Sequence, residues 1–498
     1  MRAILAAVLL FFSATALVSA QDAPPQITLR GVVHASDLHR YIELPFDVPS
    51  GTERLTVVFS QDGAGDHTVI DLGLFDPERF RGWSGGARDG FTIANGDATP
   101  GYLPGPVVKG RWRLLLGVPN IRAGVTTHFV AKVFLGRRAI SRLAATALRQ
   151  GPGWYRGDLH MHTAHSDGKC KSRSGVMVPC PAFLTVDAAD RRGLDFIVVT
   201  DHNTISQSDA LEELQPYFDK TLIITGRELT TFWGHANALG GHAFIDFRLQ
   251  EGQSADALID ATHRAGALFS VNHASAPSGE ICMGCGWSAR VDHPGRIDAV
   301  EIVNGGSLRG TGKADGIGSG FALWQGLLDK GFHPTAIGGS DNHDAPLPLS
   351  ETGSVGWPTT VVYAENLSEA AILAGIRAGH VFVDVEGTHD RSLAVTFGHA
   401  MMGDHVRPTP DTMLEAHVVG VPGGHIELVH DRGLQVASEP DTALRADDTL
   451  SFGIATDGQR HWVYVKVMDE AGKLALVGNP IYFESSDRGD SNTSAFFR

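Results

Sequence analysis

Phe196-Ile197-Val198-Val199-Thr200-Asp201-His202-Asn203-Thr204 is an apolar, β-branched run that ends in an acid and an imidazole. A strand buried on both faces reads as such a run, and its polar residues begin where it emerges from the sheet. The pattern recurs. Thr221-Leu222-Ile223-Ile224-Thr225 leads into Gly226-Arg227-Glu228, followed closely by Gly234-His235-Ala236-Asn237. Ala267-Leu268-Phe269-Ser270-Val271 ends in Asn272-His273, and Ala336-Ile337-Gly338-Gly339 ends in Ser340-Asp341-Asn342-His343. Upstream, Gly157-Asp158-Leu159-His160-Met161-His162 sets two imidazoles two residues apart, with Asp167 five residues beyond. If that run is a strand, His160 and His162 project to one face while Leu159 and Met161 pack behind. Two histidines on a solvated strand carry little by themselves. A succession of strand ends bearing His, Glu or Asp points to one shared site.

Stretches of helical character lie between these strands, as at 254–264, 321–330 and 368–377. Strands alternating with helices imply right-handed crossovers and a parallel sheet, and a closed β/α barrel gathers its strand ends around one mouth. Imidazole and carboxylate together suit Zn, Mn or Fe, and with no thiolate in the set the metal stays open. Close cations lower the pKa of water toward neutrality and stabilise negative charge on a phosphoryl or carbonyl oxygen. A separate protein nucleophile is then unnecessary. No G-x-x-x-x-G-K-[ST] loop and no G-x-S-x-G elbow occurs, so neither a P-loop nor a serine hydrolase is supported.

In order, His160-Met161-His162 with Ser166-Asp167-Gly168, Thr200-Asp201-His202-Asn203, Gly226-Arg227-Glu228 with Gly234-His235, Asn272-His273, and Ser340-Asp341-Asn342-His343 resemble the motifs of a PHP domain, the polymerase and histidinol phosphatase type. Within that superfamily the segment is similar to the CehA/McbA-like metallohydrolases. The resemblance spans residues 150–385 and implies a distorted seven-stranded β/α barrel with two or three divalent metal ions at its mouth. It implies that His160, His162, Glu228 and Asp341 hold one metal, with Glu228 bridging to a second held by His235 and His273. Asp167, His202 and His343 would form a third position. Glu228, Asp341 and His273 are the implied catalytic residues. His242 also follows Glu228 and competes with His235 for the second metal, while His165 reads as an outer group or an exposed one. Asp201 is either a group orienting a ligand or a helix N-cap or turn acid. Arg227 and Lys169 are candidates for holding a substrate oxyanion or are solvated side chains, and Asn203, Asn272 and Asn304 either point amides into the mouth or satisfy loop backbone. The glycine-rich stretch 305–320 reads as a mobile loop or lid.

Met1-Arg2 precedes an apolar run from Ala3 to Val18, and Val18-Ser19-Ala20 is a small-residue cleavage pattern. The expectation is a signal peptide over 1–20 and a periplasmic or secreted protein, with no membrane span after cleavage. The formal net charge of −15 argues against coating nucleic acid. Export favours disulfides for Cys170, Cys180, Cys282 and Cys285. Cys170 with Cys180 and Cys282 with Cys285 is the local pairing among the three possible ones; a cysteine-zinc site or a redox pair at Cys282-Met283-Gly284-Cys285 is the other reading. Short alternating runs over 26–136, among them Arg54-Leu55-Thr56-Val57-Val58-Phe59, suggest an N-terminal β-sandwich, and runs over 390–485 suggest a C-terminal one.

These readings combine into an exported metal-dependent hydrolase on a small-molecule ester, foremost a phosphoester, with two β-sandwich flanks around the barrel. A carbamate or carboxyl ester hydrolase of the CehA type is the runner-up, because both substrates use the same activated water. An inactive metal-stabilised surface-binding module is the third reading, and the full ligand set argues against it. Oligomeric state is not legible.

Overall fold

The computed structural model describes residues 24–136, 147–280, 282–407, 413–431, 435–436, 443–455 and 457–485. The expected signal peptide at 1–20 lies outside the described residues. The chain divides into two compact units, Met1–Ile93 with Pro106–Arg137, and Ala94–Gly105 with Arg138–Arg498.

The first unit contains two four-stranded sheets. In one, Thr126–Gly136 is antiparallel to both Ile27–His34 and Arg54–Gln61. In the other, Gly110–Asn120 is antiparallel to Tyr41–Val48 and Val69–Phe75. Alternation of side chains explains the sequence pattern, since Trp112, Leu114 and Leu116 are fully buried while Arg111, Arg113 and Leu115, which alternate with them, are not.

The second unit is organised by one long sheet. Its path runs Thr335–Gly339, Ala299–Asn304, Leu268–Val271, Gly234–Leu239, Leu222–Thr231, Phe196–Val199, Arg149–Asp158, Thr359–Leu367 and Val381–Asp384. The apolar runs identified in the sequence are strands buried along their length, as at Phe196–Val199 and Leu268–Val271. Thr360 Oγ1 accepts from Gly338 N at 2.8 Å and donates to Gly338 O at 2.7 Å, which ties the first strand of this path to the eighth. The expected helices form at Asp256–Arg264, Phe321–Leu328 and Glu369–Arg377. Ser368 caps the last of these by accepting from Ala371 N at 3.2 Å.

Four expectations are corrected. First, the sheet is not uniformly parallel, because Gly234–Leu239 is antiparallel to both neighbours. Only Phe232 and Trp233 separate it from the preceding strand, and a parallel return needs a crossover of about a dozen residues or more. The reversal carries His235, at the start of its strand, to the end of the sheet where Glu228 lies. Second, His160-Met161-His162 is not a strand: the strand stops at Asp158, and Met161 makes one isolated bridge to Asn342. Third, the glycine-rich stretch opens with a helix, Gly305–Thr311, whose first turn is capped by Asn304 Oδ1 accepting from Ser307 N at 2.8 Å. Fourth, the sheet does not end near residue 385. Val381–Asp384 has a free edge for Leu474–Gly478, so the path continues through His461–Met468 and Ile481–Phe483. His405–Val406 and His425–His430 also join this sheet, beside Ile481–Phe483 and His461–Met468, while a separate five-stranded sheet forms around Ser392–Phe397, Met413–Val419 and Asp447–Ala455. Among the described residues no helix is long and apolar enough to cross a membrane.

Trp324 couples these parts of the second unit. It is fully buried, its indole Nε1 donates to Pro334 O at 2.8 Å, and its ring lies 4.7 Å from that of Tyr464 in the C-terminal strands. Its neighbour Gln325 donates to the Tyr464 hydroxyl at 2.6 Å. Truncation leaves a cavity under both. Trp324→Ala is expected to destabilise the second unit by about 3–5 kcal/mol, read as a lowered urea midpoint. Fluorescence of a probe on the C-terminal strands should shift with the main transition; an independent transition for those strands would contradict a shared core.

Candidate metal centre

Glu228 is the centre of the arrangement. Its carboxylate is almost fully buried, and its two oxygens face imidazoles from five places in the chain. Oε1 lies 3.4 Å from His160 Nε2, 3.3 Å from His235 Nδ1 and 3.3 Å from His273 Nε2. Oε2 lies 2.9 Å from His202 Nδ1 and 3.6 Å from His162 Nε2. Asn272 Nδ2 donates to Oε1 at 2.9 Å. Asp341 closes the near side, with Oδ1 at 3.3 Å from His160 Nε2 and 3.2 Å from His162 Nε2. At the outer rim, Asp167 Oδ1 lies 3.3 Å from His343 Nε2 and 3.6 Å from His202 Nε2.

The nine residues singled out in the sequence therefore meet in one continuous cluster. Overlapping sets of them bring possible ligand atoms within 4.8 Å of one another: His162, Asp167, His202 and His343; His160, His273 and Asp341; His160, His162 and Glu228; Glu228, His235 and His273. His235 rather than His242 faces Glu228. His242 is buried elsewhere, beside Thr225 Oγ1 at 3.0 Å.

Strand ends deliver these groups, and the backbone bends sharply to aim them. His273 (φ 26°), Asp341 (φ 52°) and Asn203 (φ 54°) all adopt the left-handed region at the cluster, an arrangement that residues other than glycine hold only where surroundings compel it. Gly339 has to be glycine for a different reason. A Cβ there would stand 2.4 Å from His160 Cβ and 2.7 Å from Glu301 Oε1.

Whether the cluster fits metal ions is decided at His160. Its Nδ1 lies 2.9 Å from Glu301 Oε1, so that nitrogen carries the proton in the neutral ring and Nε2 presents a lone pair. Nε2 is buried, has no hydrogen-bond partner among the described residues, and faces oxygens of both Glu228 and Asp341. A lone pair held against two carboxylates is repulsive unless a cation lies between them. The donor set of imidazole and carboxylate, with each ring oriented through its other nitrogen, fits divalent metal ions.

Without such ions, protons fill the gap. His160 is shifted well above the usual imidazole value: burial opposes this, and Asp341, Glu301 and Glu228 outweigh burial. Burial likewise opposes the ionisation of Glu228, and His160, His202 and His235 hold it well below the usual carboxylate range. His343 is pushed up to about 9 by Asp167 and Asp341 against the effect of burial. His162 goes the other way, to about 4, through burial and its crowding by His343 and His202.

The remaining candidates separate clearly. Asp201 is no helix cap: it accepts from Thr163 N at 2.7 Å, Thr163 Oγ1 at 2.7 Å and Ser166 Oγ at 2.6 Å, and so fixes the loop between His162 and Asp167. Asn272 and Asn304 hold carboxylates, the latter donating to Asp341 Oδ2 at 3.2 Å and Glu301 Oε2 at 3.0 Å. Asn203 instead pairs with the backbone of Thr230. Arg227 alternates to the strand face opposite Glu228, is buried, and donates to Gly241 O at 3.4 Å. Lys169 is exposed. His165 pairs with Ser206 Oγ at 2.9 Å, outside the cluster. The cysteines take the local pairing, Cys170 with Cys180 and Cys282 with Cys285. Glu301 and Asp158 escaped the sequence reading. Asp158 accepts from His160 N at 3.2 Å, Ser340 N at 2.9 Å and Gly356 N at 2.7 Å, tying the first motif to the last. Glu301 had one signal, a lone carboxylate in the run Ala299-Val300-Glu301-Ile302-Val303.

No family model matches the chain, and no curated protein matches it. Among the solved structures similar to it are two described as metal-dependent phosphoesterases. One, a two-domain protein from Bacteroides vulgatus described as containing a predicted PHP-like metal-dependent phosphoesterase, is 18% identical with a TM-score of 0.37, over 70% of this chain and 99% of that one. The other, from Bifidobacterium adolescentis and described as a candidate metal-dependent phosphoesterase, is 16% identical with a TM-score of 0.28, over 44% of this chain and 94% of that one.

Two outcomes are expected. Since His343 titrates at about 9 in the metal-free cluster, it is protonated at pH 7 and must lose that proton to become a ligand. Loading Zn2+ into stripped protein in weak buffer should release protons, and affinity should rise between pH 6 and pH 8; uptake without proton release would contradict the assignment. Glu301→Gln should weaken metal binding about 10- to 100-fold through His160, measured by competition with a chromophoric chelator.

Proposed function

We propose that this chain is an exported metal-dependent hydrolase of the PHP type, built on a distorted seven-stranded β/α barrel, which cleaves phosphoesters with two or three divalent metal ions. The observation that carries the reading is the buried His160 Nε2, which has no hydrogen-bond partner among the described residues and lies 3.4 Å from Glu228 and 3.3 Å from Asp341, inside a cluster of six imidazoles and three carboxylates. His160, His162, Glu228 and Asp341 would hold one ion, Glu228 with His235 and His273 a second, and Asp167, His202 and His343 a third. When bound, the ions supply a water acidic enough to lose its proton near neutral pH and positive charge for the developing oxyanion.

The chain's own residues do the positioning. Glu301 sets the proton on His160 Nδ1, and Asn272 and Asn304 keep one lone pair each of Glu228 and Asp341 occupied, so those carboxylates cannot swing freely. Access is graded. The Asp167 side chain is 53% exposed and that of His343 39%, against 1% for Glu228, so substrate approaches over the Asp167–His343 rim. No buried arginine or lysine lies at that rim among the described residues, and an anionic substrate is therefore met chiefly by the cations themselves. The apolar run Ala3 to Val18 with Val18-Ser19-Ala20 supports export, and the two sheets of the first unit support an N-terminal β domain.

Metal-loaded protein should hydrolyse p-nitrophenyl phosphate or its bis ester faster than 1-naphthyl methylcarbamate. The reverse order would replace the phosphoester reading with a carbamate one, and no turnover of any of the three, with metals present, would favour a binding module. Elemental analysis should find at least two metal ions per chain, and Glu228→Ala or Asp341→Ala should abolish both occupancy and turnover. Full activity after chelator stripping would overturn the mechanism.

A further inference from the structure

The segment Cys282-Met283-Gly284-Cys285 meets the metal centre through its backbone. His273 Nδ1 lies 3.1 Å from the Cys285 carbonyl oxygen, and His235 Nε2 lies 3.3 Å from the Met283 carbonyl oxygen. These nitrogens face away from the cluster. The inward nitrogens, His273 Nε2 and His235 Nδ1, are each 3.3 Å from the same atom, Glu228 Oε1. A carbonyl only accepts, so each outward nitrogen donates its proton and each inward one presents its lone pair. Two carbonyls two residues apart thus set the tautomer and the tilt of both rings, which come from different strands.

Little regular structure holds those carbonyls in place. Between the strands Leu268–Val271 and Ala299–Asn304, the described residues contain a single 3-10 turn, Pro294–Arg296. Met283 itself is 71% exposed. The covalent bond between Cys282 and Cys285 and a close backbone approach at Gly284 anchor the segment itself, and hydrogen bonds flank it, with Cys282 O accepting from Gly279 N at 3.0 Å, Ser278 Oγ from Gly286 N at 3.0 Å and Ala274 O from Trp287 N at 2.9 Å. Gly284 has φ +78°, and a Cβ there would stand 2.3 Å from the Thr231 carbonyl oxygen, so the loop lies flush against the hairpin that carries His235. Cys285 is buried at 2% exposure, which seats one end of the bond in the protein.

We infer that the Cys282–Cys285 disulfide is a positioning device for the metal centre: it closes the loop whose Met283 and Cys285 carbonyls orient His235 and His273 as the ligand pair of one metal ion. The inference rests on the metal-centre reading above. A disulfide that merely stiffened a surface loop would leave metal retention unchanged. A positioning one acts on the ion held by that pair and leaves the ions held by His160, His162 and Asp341 or by Asp167 and His343 in place. Loss of an outer carbonyl partner of a ligating histidine typically weakens binding about 10- to 100-fold.

The test uses full-length, oxidised, Zn2+-loaded protein and follows release of Zn2+ to a chromophoric chelator, with elemental analysis for stoichiometry. Three variants are compared with the parent. In Cys282→Ser with Cys285→Ser, one equivalent should leave about 10- to 100-fold faster while the rest leave at the parent rate. Gly284→Ala keeps the disulfide but forces the loop off Thr231, and should release the same equivalent early. Met283→Ala keeps the carbonyl and removes only an exposed side chain, so its release should match the parent. If the serine pair fails to fold, Gly284→Ala decides alone. A parent that binds no metal sinks the metal-centre reading itself. A parent with two or more ions, and a serine-pair variant and Gly284→Ala that release all of them at the parent rate, overturns the positioning role and leaves the metal centre standing.

Discussion

One buried carboxylate sets the terms for the second unit. Taking an ionised side chain such as Glu228 out of water costs several kcal/mol, and the cost is tolerable only where opposite charge and donors surround it. Here five imidazoles and the Asn272 amide do so. Those imidazoles come from segments spread between His160 and His273, so the sheet must bring its strand ends to one place before the charge can be buried at all. Asp341 extends the same requirement to the last motif strand.

The surrounding structure reads as the means of meeting that requirement. Largely apolar strands pack below, and most of the ligands follow where those strands end, with Glu228 inside its strand and His235 at the start of the next. Past each end the chain is held by side chains hydrogen-bonded to backbone: Asp158 ties 160 to 340 and 356, Asp201 ties the loop after His162, and Glu301 accepts from His273 N at 2.9 Å while also fixing His160. Left-handed backbone at His273 and Asp341 is sustained by these ties. Rigidity below and a bent, heavily bonded rim above are what hold several ligands to sub-ångström positions.

Much of this was legible in the sequence, for physical reasons that also mark where legibility stopped. Phe196–Val199 and Leu268–Val271 could be recognised because strands buried on both faces cannot hide polar residues, and the ligands stood out because they follow such runs directly. The direction of Gly234–Leu239 was harder, since a six-residue buried strand reads alike both ways; the short Phe232-Trp233 connection was the signal. Glu301 was passed over because its strand ends in no imidazole. The helix at Gly305–Thr311 was hidden by its glycines, whose low propensity is offset by the Asn304 cap and by packing of Gly305 against Ser340 and Trp357. Continuity of the sheet past residue 385 depends on which edges find partners a hundred residues away, and no local pattern records that.

Anomalous X-ray diffraction from crystals of the purified protein, collected at the Zn, Mn and Fe absorption edges, addresses the central claim directly. The account predicts at least two anomalous peaks, both within coordinating distance of the Glu228 carboxylate, one also beside His160 and Asp341 and the other beside His235 and His273. Electron density in which the His160 Nε2 lone pair is met by water or a protein donor, with no anomalous peak near Glu228 in metal-supplemented crystals, would contradict it.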